Sequence, residues 1–158
     1  MRNKTHKFDA VIIGGGAAGM MCAIEASKRG KSVMIIEHTN RLGEKIRISG
    51  GGRCNFTNLN VGSENFISNN PKFAASALSR FTQHDFISLV NAASIPFHQK
   101  TLGQLFCDGS ATQIIGMLKQ KLQAGDVTIK LRSKVKSIEK NGAFDLSLDD
   151  ISIETNSL

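Results

Sequence analysis

The sequence predicts an α/β fold, with helices packed on a parallel sheet, and three observations carry that prediction. Residues 8–13 (FDAVII) form a short, continuous apolar run that ends in glycines. Residues 17–29 follow with helical spacing of small apolar side chains. Residues 31–37 (KSVMIIE) then give a second apolar run of strand length. Runs that are apolar throughout, rather than alternating, fit parallel strands buried on both faces. Strand, helix and strand in about thirty residues make a βαβ unit, whose crossover is right-handed in nearly all folds.

Each remaining element follows from local pattern. Gly30 stops the first helix. Residues 38–70 are rich in Gly, Asn and Ser with little periodicity, and read as a long functional loop. Helices are expected at 72–80 and 83–93, the second capped by Thr82 with Asp85 completing a capping box. Short strands at 95–98 and 104–107 flank a turn at Lys100–Gly103. Residues 110–124 are amphipathic, with Ile114, Ile115, Leu118 and Leu122 on one face. Residues 126–131 (DVTIKL) read as the third parallel strand. Residues 132–139, 143–148 and 151–154 alternate as an antiparallel β-meander turning at Asn141–Gly142.

The 158 residues fit one domain, 1–158, with an aliphatic core: Trp and Tyr are absent and Phe numbers nine. The net charge of +7 suits an anionic ligand or RNA, and equally a basic solvated surface. Cys22, Cys54 and Cys107 are odd in number and contain no CxxC pair, which argues against a disulfide framework and a metal site. No apolar segment reaches the roughly 18 residues of a membrane span, and no signal peptide is expected. A cytoplasmic setting without membrane or metal follows as the expectation.

The chemistry is concentrated between Phe8 and Asn58. Gly14-Gly15-Gly16-Ala17-Ala18-Gly19 matches G-x-G-x-x-G between a strand and a helix. Gly14 permits the tight turn, Gly16 admits a pyrophosphate to the backbone, and Gly19 lets helix and strand approach. The helix N-terminus presents N–H groups and partial positive charge. Glu37 lies 23 residues beyond Gly14 at the end of the next strand, where a carboxylate binds ribose hydroxyls and repels a 2′-phosphate. A Rossmann-like dinucleotide site is the reading, against a glycine turn made for packing and a solvated strand-end acid.

Ser49-Gly50-Gly51-Gly52-Arg53 forms a second anion-compatible loop, in which successive N–H groups can share one concavity and Ser49 adds a hydroxyl donor. Lys45, Arg47 and Arg53 could neutralise phosphates or an anionic flavin. A second such loop favours FAD over a nicotinamide cofactor; the bland alternative is a flexible basic loop. Cys54 beside Arg53 is expected to pack rather than react, Cys22 to lie in the core, and Cys107 has no assigned role. Lys130, Arg132, Lys134 and Lys136 recur with period two, as a solvated strand face or a row for RNA phosphates. His84 and His98 lie in no ligand or triad spacing.

From Gly14 to Asn58, and above all in GEKIRISGGGRCNFTN, the chain resembles the BaiN/RdsA-like family of NAD(P)/FAD-dependent oxidoreductases. The likeness continues through SALSRFTQHDFISLVN and KTLGQLFCDGSA and so covers nearly the whole chain. It is strongest to the branch linked to dihydrouridine formation in large-subunit rRNA, and weaker to bile-acid enone reductases. The resemblance implies reduction of an activated C=C bond by flavin hydride, with NAD(P)H as hydride donor. It implies FAD carried by Gly14, Gly16, Gly19, Glu37, Lys45, Ser49, Gly50, Gly51 and Gly52, with Val135 meeting the adenine through its backbone. It identifies no proton donor. Family members are much longer and continue into an ATGG-type strand–turn and a substrate domain. The expectation is therefore an FAD-binding portion truncated before the substrate domain, with the last strands of its sheet missing. A catalytically inactive nucleotide- or RNA-binding remnant is the alternative from another class.

Overall fold

A computed structural model describes residues 5–158 of the chain, which divide into two units: 5–45 with 118–158, and 46–117.

The first unit is built on a six-stranded sheet. Strand β1 (Thr5–Ile13) leads through helix α1 (Ala17–Lys28) to β2 (Val33–Ile36), which pairs parallel with β1 from Ala10↔Val33 to Ile13↔Ile36. β2 is buried throughout, as an all-apolar run between two neighbours requires, whereas β1 buries only Val11 fully. The buried stripe of α1 is Met20, Ala23 and Ile24, at helical i, i+3, i+4 spacing. Cys22 falls off that stripe and is exposed, so its expected place in the core is incorrect.

Later in the chain, β6 (Thr128–Lys130) adds the third parallel strand beside β2. The meander consists of β7 (Ser137–Asn141), β8 (Ala143–Ser147) and β9 (Ser152–Ser157), turning at Gly142, whose φ is 85°. β9 pairs antiparallel with β8 on one side and parallel with β1 on the other. It therefore joins the meander to the parallel sheet, giving the order β6-β2-β1-β9-β8-β7. Val11, Met34, Ile36, Leu146, Leu148 and Ile153 form one core across that junction.

Residues 131–136 belong to no strand, which corrects the reading of a strand beginning at 132. Arg132 has φ of 52°, so alternation fails in the middle of the basic row. Lys130 is paired with Asp150 at 2.7 Å and Lys136 with Asp149 at 2.5 Å. The four cations do not form a strand face.

The second unit contains a three-stranded antiparallel sheet of order β3 (Asn55–Asn58), β5 (Gln104–Cys107), β4 (Phe97–Gln99). It also holds helices α3 (Ala75–Arg80) and α4 (Gln83–Ala92). The capping box is present: Asp85 N–H donates to Thr82 Oγ1, and Thr82 N–H donates to Asp85 Oδ2 at 2.7 Å. Phe56 lies edge-on to Phe97, centroids 5.3 Å apart, and meets Phe86 at 6.0 Å, fastening β3, β4 and α4 together. The supposed loop of residues 38–70 thus contains a strand, and before it the short helix α2 (Glu44–Ile48). Helix α5 (Ala111–Ala124) begins in this unit and ends in the first.

Candidate dinucleotide site

The glycines of the first loop have separate physical reasons. Gly14 has φ of 109°, a conformation that a side chain rarely adopts, and its N–H donates to the Ile36 carbonyl at 2.8 Å. A Cβ on Gly19 would lie 2.0 Å from the Gly14 carbonyl oxygen and 3.2 Å from Ile12 Cγ2, so that glycine sets the helix–strand approach. A Cβ on Gly16 would meet no atom of the chain within 4 Å, although its φ of −78° suits any residue. Gly16, Ala17 and Ala18 are exposed, and no side chain caps the helix start. The space before the first turn of α1 is open and bordered by N–H groups without intrahelical partners, which fits a pyrophosphate.

Gly15 has a role that sequence reasoning missed. It is buried, its N–H donates to Glu37 Oε2 at 2.6 Å, and its carbonyl accepts from Gly43 N–H at 2.9 Å. A Cβ there would sit 2.2 Å from Leu42 Cδ2. Gly15 thus holds the two βα-crossover loops together rather than facing a ligand.

Glu37 is 7% exposed and already occupied. Its Oε2 accepts from Gly15 and its Oε1 from the Thr39 N–H at 2.8 Å, with His38 Nδ1 3.1 Å away. Burial works against its charge, but the N–H groups of Thr39 and Gly15, the Thr39 side chain and His38 outweigh it and hold the carboxyl below its ordinary range. The two N–H groups and His38 engage both carboxylate oxygens, so a ribose hydroxyl would share what remains of roughly four lone-pair positions.

Lys45, on α2, is exposed. Val135 lies outside any strand, and its side chain packs on the core cluster around Val11 and Leu146, which leaves only its backbone for an adenine.

In the second unit, Ser49–Gly52 is a 3-10 turn in which Gly50, Gly51 and Gly52 take φ of 57°, 66° and 85°. A Cβ on Gly50 would lie 2.7 Å from both Asn55 N and Phe106 Cε1, whereas Gly51 and Gly52 face open space. Ser49 donates its hydroxyl to the Ile46 carbonyl at 2.8 Å, so its proton is committed within the chain, contrary to its expected part as a ligand donor. Arg53 is exposed, and its carbonyl accepts from Cys107 N–H at 3.0 Å.

The thiols follow burial. Burial raises the pKa of Cys54, partly offset by a hydrogen bond with Ser49. Burial, with Cys54 nearby, pushes Cys107 up to about 11. Both are neutral packing groups at pH 7, and Arg53 does not make Cys54 a thiolate. In the native protein one thiol, Cys22, is expected to react rapidly with an aromatic disulfide reagent. All three should react after unfolding, and a fast second equivalent in the native state would contradict this burial.

Among the described residues no group of three or more His, Cys, Asp or Glu could hold a metal ion, and no helix is long and apolar enough to cross a membrane.

This fold and loop chemistry define a Rossmann-type dinucleotide-binding domain. The chain belongs to the HI0933-like family, whose Rossmann-domain profile matches residues 8–158. It is 52% identical over 149 residues to the ribosomal RNA dihydrouridine synthase of Escherichia coli K12, covering 94% of this chain and 37% of that protein. It is 30% identical over 132 residues to the 3-dehydro-bile acid delta(4,6)-reductase of Clostridium scindens, covering 81% of this chain and 32% of that protein. The chain thus spans about a third of the length of these relatives. The 3-ketosteroid-delta4-(5alpha)-dehydrogenase of Rhodococcus jostii shares the fold at 12% identity, with a TM-score of 0.68 over 96% of this chain and 44% of that one. Glycine oxidase from Geobacillus kaustophilus does so at 15% identity, with a TM-score of 0.59 over 96% and 54%.

Proposed function

We propose that the chain is the FAD-binding portion of a cytoplasmic flavin-dependent reductase that converts uridine to dihydrouridine in large-subunit rRNA. The observation that carries the cofactor is the open space at Gly16, before a helix start that no side chain caps, beside a ribose-competent Glu37. Gly14, Gly16, Ala17, Ala18 and Gly19 would hold the pyrophosphate, Glu37 the adenosine ribose, and the Val135 backbone the adenine edge. Within the second unit, the open Gly51–Gly52 backbone beside Arg53 would be a further anion-binding element. When bound, FAD supplies hydride to an activated C=C bond, with NAD(P)H as the source of electrons; the chain's residues bind and orient it. The substrate follows the 52% identity to an rRNA dihydrouridine synthase. A small-molecule enone reductase is the second reading, favoured by the 30% identity to a bile-acid reductase.

Incubation with FAD followed by gel filtration should leave a yellow protein with the visible flavin band. Deleting the gene should remove one dihydrouridine from large-subunit rRNA. A colourless protein counts against the cofactor; an unchanged rRNA with a yellow protein transfers the reading to the small-molecule reductase.

A further inference from the structure

His98 has no ligand or triad spacing in the sequence, yet the second unit gives it a defined setting. In the β4–β5 hairpin it pairs directly with Phe106, so the two project from the same face. Its imidazole lies nearly parallel to the Phe106 ring, 19° between planes and 6.4 Å between centroids. Its Nδ1 is 2.6 Å from Asp108 Oδ1, a contact that fixes the ring about its own bonds. The side chain is nonetheless 39% accessible. The ring is thus partly open to solvent beside Phe106 while Nδ1 is held by Asp108. Lys100 adds a cation at the same place, its Nζ 4.2 Å from the Phe106 centroid. The same Phe106 ring backs the Gly50 turn, where a Cβ would come within 2.7 Å.

A planar ring held rigid, half open and beside an ammonium is the arrangement that receives an unpaired nucleobase with its phosphate. A fully buried structural histidine would not leave its side chain 39% accessible. The net charge of +7 draws a polyanion to the chain. We propose that His98, braced by Asp108 and Phe106, is a stacking platform for an unpaired base of single-stranded RNA, with Lys100 meeting the adjacent phosphate. The inference rests on the reading of an RNA substrate and adds a place where an unpaired base of it is held.

Binding of a fluorescein-labelled oligouridylate to the full chain, followed by anisotropy, tests it. His98→Ala should weaken binding about 5- to 100-fold, the range seen when a stacking side chain is truncated. His98→Phe, which keeps a ring but not its nitrogens, should stay within about threefold of the wild type. Lys100→Gln should lower the slope of log affinity against log salt by about 0.7. Equal affinity for wild type and His98→Ala, an equal loss in His98→Phe, an unchanged salt slope in Lys100→Gln, or no oligouridylate binding at all overturns the platform. FAD titration of the wild type separates the two readings: FAD bound without oligouridylate rejects the platform alone, and oligouridylate bound without FAD rejects the flavin reading alone.

Discussion

Gly19→Ala and Gly16→Ala, three residues apart in one motif, should fail in opposite ways. In Gly19→Ala the new Cβ lies 2.0 Å from a backbone oxygen, that of Gly14, which cannot swing aside as a side-chain tip would. Helix α1 must move off β1, and overpacking of this kind costs about 1–3 kcal/mol. The roughly 1 kcal/mol that alanine gains over glycine inside a helix recovers only part of it. The expected outcome is a protein destabilised by about 2 kcal/mol in urea, with FAD binding lost because the loop has shifted. Gly16→Ala meets no protein atom and keeps an ordinary φ, so its stability should change by less than about 1 kcal/mol, the scale of an altered N-cap. Its methyl group would occupy the space in front of the helix N-terminus, and FAD affinity should fall by about tenfold or more, some 1.4 kcal/mol. Calorimetry of FAD binding beside urea titration reads both quantities. A Gly16→Ala protein that binds FAD normally would remove the pyrophosphate from this loop.

That contrast also marks what the sequence could express. The turn at Gly14 and the helix–strand approach at Gly19 were legible because motif, strand and helix are contiguous, and local backbone geometry decides them. The Gly15–Glu37 bond was not, since its acceptor arrives from a strand 22 residues later and only the folded loops bring the two groups within 2.6 Å. β3 (NFTN) was read as loop because its partner, β5, lies nearly fifty residues on and four polar-rich residues carry no periodicity of their own. α2 has five residues, too few to display a helical repeat. The period-two basic row assumed extended backbone throughout, and one positive φ at Arg132 breaks the count. The second pairing of β9 was invisible for another reason: alternation along a strand reveals its faces, not which neighbour lies at each edge. His98 acquired a role only when Asp108 and Phe106 were brought beside it.

Glu37 should be a costly side chain to remove. Glu37→Ala leaves the N–H groups of Gly15, buried, and Thr39, partly buried, without their acceptor. At about 1–3 kcal/mol for each unsatisfied donor, the loss is about 2–6 kcal/mol, a large share of the stability of a domain this size. Glu37→Gln retains one acceptor oxygen but turns an NH2 toward the other N–H, and should lie between wild type and alanine. The charge gives a second signature. The carboxyl is held below its ordinary value of 4.5 in the folded protein, so it binds its proton less readily folded than unfolded. Its contribution is therefore complete above about pH 4.5 and is lost as pH falls through the lowered folded value. Asp9, Glu25, Asp85 and Asp150 are lowered too, but these exposed groups are screened and are common to both proteins. Subtracting the stability–pH curve of Glu37→Gln from that of wild type should isolate a difference that is flat above about pH 5 and shrinks below 4.5. A difference that stays constant down to pH 3 would mean that the two N–H groups bind the acid as well as the carboxylate, and that the bracing of the glycine loop does not depend on charge.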